Sequence, residues 1–203
     1  LVAVVLAAEA GAVRGGDYLI DVWTPERGPT GKALRNSSVT SIAQTPDGYL
    51  WVGTYNGLAR FDGVRFVTFD PENTPELLHP RIRKLFLDAL GTLWINTFDG
   101  SLTSMRDGHF TLEWRAREYA DYDAARVAST SNHVTFLLAT GDLITRNFGG
   151  GSNGWRLITD APGKGLGVSA CEDADGTLWY RGRDSQLYRL TGTVFELVST
   201  NLH

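Results

Sequence analysis

Asp99, Asp142 and Asp184 are the carboxylates whose placement could do chemistry. Two such groups about 5–9 Å apart can act as acid and base on a glycosidic bond. Each stands in a turn context, beside or near glycine, where aspartate is also common for backbone reasons. Other catalytic sets are missing. No Ser/His/Asp group stands in motif context, and no glycine-rich phosphate loop follows a strand and opens a helix. The four histidines (His79, His109, His133 and His203) lie far apart, without metal-ligand spacing. Cys171 is the only cysteine, so neither an internal disulfide nor a cysteine zinc cluster can form. No metal site and no cofactor motif is visible.

Whatever the chemistry, the chain has to build a core to hold it. Its 203 residues are 42% hydrophobic, enough for one large domain or two small ones. A net charge of −4 gives no basic face for nucleic acid. The densest basic group, Arg81-Ile82-Arg83-Lys84, alternates with apolar residues and reads as a solvated strand face. Residues 1–12 form a short apolar run that reaches Ala8-Glu9-Ala10, a small-x-small sequence of signal-peptidase type. The run is too short to span a bilayer, and the segment is read as a residual signal peptide. An ordinary first strand or a short helix is the alternative.

The main finding is internal repetition. TPDGYLWVGTYNGLARFDG (Thr45 to Gly63), GTLWINTFDGSL (Gly91 to Leu102) and DGTLWYRGRDSQLYR (Asp175 to Arg189) are versions of one sequence. Trp51 and Trp94 are 43 residues apart, and Trp94 and Trp179 are 85 apart, close to two periods. A further copy, HVTFLLATGDLITRN (His133 to Asn147), falls between them and has Leu137 in the tryptophan position. Each copy divides into four short strand-like runs. In the first these are 38–44, 49–54, 58–61 and 64–69, separated by Asp47-Gly48, Asn56-Gly57 and Asp62-Gly63. Asp-Gly and Asn-Gly are strong hairpin signals, because the favoured two-residue turns need positive φ. No long helical period occurs.

Four antiparallel strands every 43 residues or so predict an all-β chain, a β-propeller with about four four-stranded blades at 37–70, 81–115, 122–160 and 165–200. Trp51, Trp94, Leu137 and Trp179 are then the repeated core residues that fill the wedges between blades, and Gly53 admits a close neighbour. Residues 18–24 (YLIDVWT) read as an orphan outer strand of the kind that completes the last blade of a closed propeller. Residues 17–203 are therefore expected to be part of a larger propeller of about seven blades. A small closed ring, or an oligomer that completes it, is the alternative.

The stretch NSSVTSIAQTPDGYLWVGTYNGLARFDGVRF, preceded by DVWT, closely resembles the two-component regulator propeller repeat. The resemblance extends over roughly residues 17 to 200. It departs at Gly31-Lys32-Ala33-Leu34-Arg35, where Gly-Leu-Pro is usual, and at the lost tryptophan of the third blade. The Asp-Gly-aromatic turn is also similar to the Asp-box of sialidase propellers, itself a structural hairpin. The family resemblance implies the periplasmic sensor region of a bacterial hybrid histidine kinase or diguanylate cyclase, membrane-anchored in the full-length receptor. It implies a small-molecule or carbohydrate ligand and no catalysis in this chain. The rest of the receptor chain would be a partner, and a homodimer is possible for such a scaffold. A protein-binding scaffold is the second reading and a carbohydrate-active propeller enzyme the third. On a propeller, the turns between the second and third strands share one face with the links between blades. That geometry selects Tyr55, Asn56, Phe98, Asp99, Arg183 and Asp184 as candidate ligand-binding residues, with the links near Pro71 to Arg81 and Glu118 to Asp123.

Overall fold

The computed structural model describes residues 2–5, 20–23, 34, 36, 38–115, 124–149, 154–163, 165, 168–192 and 194–199. All regular elements among them are strands, and no helix is long and apolar enough to cross a membrane. Blade 1 comprises β3 (Val39–Gln44), β4 (Leu50–Thr54), β5 (Gly57–Phe61) and β6 (Phe66–Phe69). Blade 2 comprises β7 (Ile82–Leu87), β8 (Leu93–Thr97), β9 (Leu102–Arg106) and β10 (His109–Trp114). Blade 3 comprises β11 (Ala124–Ser129), β12 (His133–Leu138), β13 (Leu143–Asn147) and β14 (Trp155–Ile158). Blade 4 comprises β15 (Ser169–Glu172), β16 (Leu178–Arg181), β17 (Leu187–Thr191) and β18 (Val194–Ser199). Each is an antiparallel meander in chain order, so the fold is that of β-propeller blades at the spacing of the repeat.

The register repeats with the sequence. Trp51 lies between Ala43 and Arg60, Trp94 between Phe86 and Ser104, Leu137 between Ala125 and Leu143, and Trp179 between Cys171 and Arg189. Trp51 packs between blades 1 and 2 with Leu58, Ile82, Leu85 and Leu93, and its ring lies 5.5 Å from that of Phe69. Trp94 packs between blades 2 and 3, 5.2 Å from Phe136 and 5.9 Å from Trp155. Leu137 packs with Ile158, Tyr180, Tyr188 and Leu190 between blades 3 and 4. Leu34, in the segment that departs from the family pattern, is buried with Val52, Phe61 and Phe66 on the other side of blade 1. Gly53 is needed by the next blade, since a Cβ there would stand 2.7 Å from Ile82 Cγ2.

A turn residue six positions before each tryptophan anchors its indole. Trp94 Nε1–H donates to Asp88 Oδ2 (2.9 Å), while Asp88 Oδ1 accepts from the amides of Leu90 and Thr92 (2.9 and 2.8 Å). Asp173 serves Trp179 (2.7 Å) and the amides of Asp175 and Thr177 (3.0 and 2.9 Å) in the same way. In blade 1 Thr45 Oγ1 accepts from Trp51 Nε1 at 3.0 Å. One carboxylate thus closes a hairpin and orients the core aromatic beneath it.

The apolar beginning of the chain contributes β1 (Val2–Val5), paired antiparallel with β2 (Ile20–Trp23). β2 coincides with the expected orphan strand, and its partner is β1. Ala8-Glu9-Ala10 lies outside the described residues.

Burial is unequal along the repeat. Trp51 and Trp94 are each 2% exposed and Leu137 is 9% exposed, whereas Trp179 is only half-buried. The cause is positional: each tryptophan or its equivalent is covered by the following blade, and no described blade follows β18. Trp51→Ala should therefore cost about 3–5 kcal/mol, as a buried aromatic truncation. Trp179→Ala should cost about 1 kcal/mol. Equilibrium denaturant unfolding of the two variants checks this, and equal losses would contradict the wedge account.

Candidate functional site

The face selected by sequence is built from the β4–β5, β8–β9, β12–β13 and β16–β17 turns. Backbone bonds set its first half. The Tyr55 amide donates to Ser38 O (3.2 Å), Gly57 to Pro80 O (2.8 Å) and Phe98 to Arg81 O (3.0 Å). These bonds tie the turns of blades 1 and 2 to the inner strands and to the link between the blades. Thr54 Oγ1 locks the first turn by accepting from the Asn56 amide (3.0 Å) and donating to Gly57 O (2.8 Å).

Tyr55 and Phe98 meet edge to face at 6.3 Å between ring centroids. The Arg81 guanidinium lies 5.6 Å from both rings, and that of Arg83 lies 4.2 Å from Phe98. His79 joins them, 6.4 Å from Phe98, and its Nδ1 accepts from the Arg81 amide at 3.0 Å. Tyr55 is 46% exposed, Arg81 is exposed, and Phe98, Arg83 and His79 are half-buried. Together they form a cationic and aromatic cluster open to solvent.

Arg83 reaches Phe98 because β7 is irregular. Ile82 pairs with Thr97 and Lys84 with Asn96, which leaves Arg83 in a bulge. Thr40 occupies the same bulge in blade 1, where its Oγ1 donates to Ile82 O of the next blade (2.9 Å). A bulge re-aims a side chain out of strict alternation. Arg83 is therefore half-buried against a ring, and not the solvated strand residue that its alternating sequence suggests.

The predicted carboxylates are engaged in their turns. Asp99 Oδ1 accepts from Thr97 Oγ1 (2.6 Å), Ser101 Oγ (2.8 Å) and the Ser101 amide (3.2 Å). Burial pushes the Asp99 carboxyl up, but these bonds, with a contribution from His79, outweigh it and hold the group below its ordinary value. Asp142 accepts from Thr140 Oγ1 (2.9 Å), and Asp184 from Tyr188 Oη (2.7 Å) and the Gln186 amide (3.1 Å). The Arg183 amide donates to Gly163 O at 2.9 Å. Between blades 3 and 4, burial pushes the Tyr180 hydroxyl up to about 12, and Asp142, Asp184 and Tyr188 add to the effect. Arg183 and Asp184 thus belong to a separate region of the face, two blades from Phe98 and three from Tyr55. The Glu118 to Asp123 link lies outside the described residues.

Sequence reasoning covered His79 and Arg81 only through the Pro71 to Arg81 link and missed Arg83 as a site residue. The signal available was the basic group at the end of the Pro71 to Arg81 link, but the bulge that aims Arg83 leaves no mark in the alternation. The hairpin carboxylates Asp88 and Asp173 were also missed, although their spacing of six from a tryptophan repeats. Gly150-Gly151-Ser152-Asn153-Gly154 has the letters of a Gly-x-Ser-x-Gly motif. It connects two strands, β13 and β14, whereas a nucleophile elbow leads from strand to helix, and residues 150–153 lie outside the described residues. Among the described residues no group of three or more His, Cys, Asp or Glu could hold a metal ion.

Four four-stranded antiparallel meanders at the spacing of the repeat define a β-propeller fold. Residues 33–56 match the two component regulator propeller family model, so the chain carries that repeat. No curated protein matches the chain. Among solved structures it is similar to the extracellular domain described as that of a hybrid two component system from B. thetaiotaomicron, with a TM-score of 0.63 and 20% identity, over 90% of this chain and 26% of that one. It is also similar to virginiamycin B lyase from Staphylococcus aureus, with a TM-score of 0.58 and 13% identity, over 80% of this chain and 55% of the lyase. PorZ, a surface component of the type-IX secretion system of Porphyromonas gingivalis, gives a TM-score of 0.60 and 15% identity, over 80% of this chain and 22% of PorZ. The chain thus spans about half the length of the lyase and about a quarter of the other two. At these identities the likeness is one of fold.

The lowered pKa of Asp99 has a signed consequence. A depressed folded value contributes stability above the ordinary carboxylate value of 3.8, and that stability is lost as pH falls through the folded value. Asp99→Asn should be less stable than the parent at neutral pH, and the gap should narrow in acid, below the ordinary carboxylate value of 3.8. Denaturant unfolding at neutral and at acid pH measures it, and a gap that persists in acid would remove the ionised carboxylate from the turn.

Proposed function

We propose that this chain is an extracytoplasmic ligand-sensing propeller domain of a bacterial signal-transduction receptor, of the histidine kinase or diguanylate cyclase type. The observation that carries the reading is the regulator propeller repeat at residues 33–56, set within a blade array similar in fold to an extracellular domain of a two component system. The chain itself performs no catalysis in this reading. Asp99, Asp142 and Asp184 are committed to hydrogen bonds in or beside their turns, an arrangement that favours structural roles over acid and base work. Ligand is received at the turn face, where Tyr55, Phe98 and their cationic neighbours offer stacking and charge. The receptor works in the periplasm, anchored by other parts of its chain.

Half-burial of Trp179 and the 62% exposure of Val194 favour a second, compatible role. That face of blade 4 packs against protein, either the rest of the receptor or a second copy.

In-frame deletion of codons 38–199 from the intact gene, with transcript profiling across carbon sources, tests the sensor reading. The deletion should abolish induction by at least one source while growth on a neutral source is unchanged. Identical transcript responses under every condition would overturn it.

A further inference from the structure

Two arginines converge on one ring, and no described acid pairs with them. Arg81 comes from the end of the blade 1–blade 2 link and Arg83 from the bulge of β7, and both guanidinium groups lie over Phe98. Among the described residues neither forms an ion pair with a carboxylate. The Arg83 Nε is buried and has no hydrogen-bond partner. Asp99, the acid in the adjoining turn, spends its Oδ1 on Thr97 and Ser101. Like charges held together repel, and a buried donor without an acceptor is costly. Stacking on Phe98 offsets part of that cost but supplies no acceptor.

Arg60 provides an internal contrast. Its Nε is likewise buried and unpartnered, but it lies within 6.0 Å of three rings, 4.4 Å from Tyr49, 5.9 Å from Trp51 and 6.0 Å from Phe69. That is a single cation in the wall of a blade. At Phe98 two cations share an open mouth with the exposed Tyr55 and with His79. Because His79 Nδ1 already accepts from the Arg81 amide, the proton of the neutral ring is on Nε2.

We propose that the Arg81–Arg83 mouth over Phe98 binds the oxyanion of a ring-bearing organic acid, its carboxylate or sulfate group taken by the two guanidinium groups and its ring by Tyr55. This rests on the ligand-binding reading above and adds the charge of the ligand to it. Guanidinium is suited to the task because its planar donors match the two oxygens of a carboxylate or sulfate. A neutral ligand would leave the paired cations uncompensated.

The test is NMR titration of the 203-residue chain with D-glucuronate, inorganic sulfate and D-glucose, following the amides of Tyr55, Gly57 and Phe98. Glucuronate should shift them saturably, sulfate should shift the same amides with weaker affinity, and glucose should not. Arg81→Gln, at an exposed position, and Arg83→Gln should each weaken glucuronate about tenfold, as expected for loss of one charge-assisted bond. Unfolding midpoints report whether either variant is folded. If Arg83→Gln is not folded, Arg81→Gln alone decides. Unchanged glucuronate affinity in the folded variants would overturn the inference, as would absence of shifts with both anions. Shifts with glucose but not with the anions would overturn it too, while leaving a ligand-binding face in place. The sensor reading itself stands or falls on the transcript experiment.

Discussion

The structure depends on one constraint: a four-stranded blade has two faces, and both need covering. A central strand of the repeat therefore carries a residue large enough to fill the wedge against the next blade. Trp51 and Trp94 do this with the full indole, and Leu137 does it with help from Tyr180 and Tyr188 on the facing blade. Indole brings one polar atom into that wedge, and a buried N–H has to be matched. Asp88, Asp173 and Thr45 supply the acceptor from the hairpin that begins the strand. The same side chains cap the hairpin, so turn and core are specified together.

That coupling explains why the blades are regular at one end and varied at the other. At the end where the first and second strands join, the turn is tied to the core. The turns between second and third strands carry no bond to the repeated wedge tryptophan, and their residues differ from blade to blade: Tyr55-Asn56, Phe98-Asp99, Thr140 with Asp142, and Arg183-Asp184. A rigid scaffold with variable turns is a common basis for recognition. Bulges at Thr40 and Arg83 occur near this end of the inner strands, where they join one blade to the next and aim a cation at a ring.

Electrostatics divides the face. Carboxylates gather around Tyr180 and Tyr188 between blades 3 and 4, while Asp99, in the blade 2 turn, is held ionised by its own hydroxyl and amide donors. The cations collect between blades 1 and 2. An overall charge of −4 conceals this separation, because composition sums over positions that the fold sets apart.

The class of fold was determined by the sequence alone. The tryptophan period, the Asp-Gly and Asn-Gly turns and the short β-rich runs identify the blades, because hairpin geometry and wedge packing are local demands repeated at fixed spacing. Placing Tyr55 and Phe98 on one face followed from the same reasoning, since equivalent turns of neighbouring blades must share a face. Tertiary structure decided the rest. Trp179 has the same motif as Trp94 yet remains half-buried, because burial is a property of what stands opposite. Val2–Val5 pairs with Ile20–Trp23, a partner that only the tertiary structure names. Arg83 reads as solvated alternation and lies on an aromatic ring, because its bulge in β7 shifts the face to which its side chain is directed. Register and bulges arise from contacts between strands far apart in the chain, and no local pattern of residues records them.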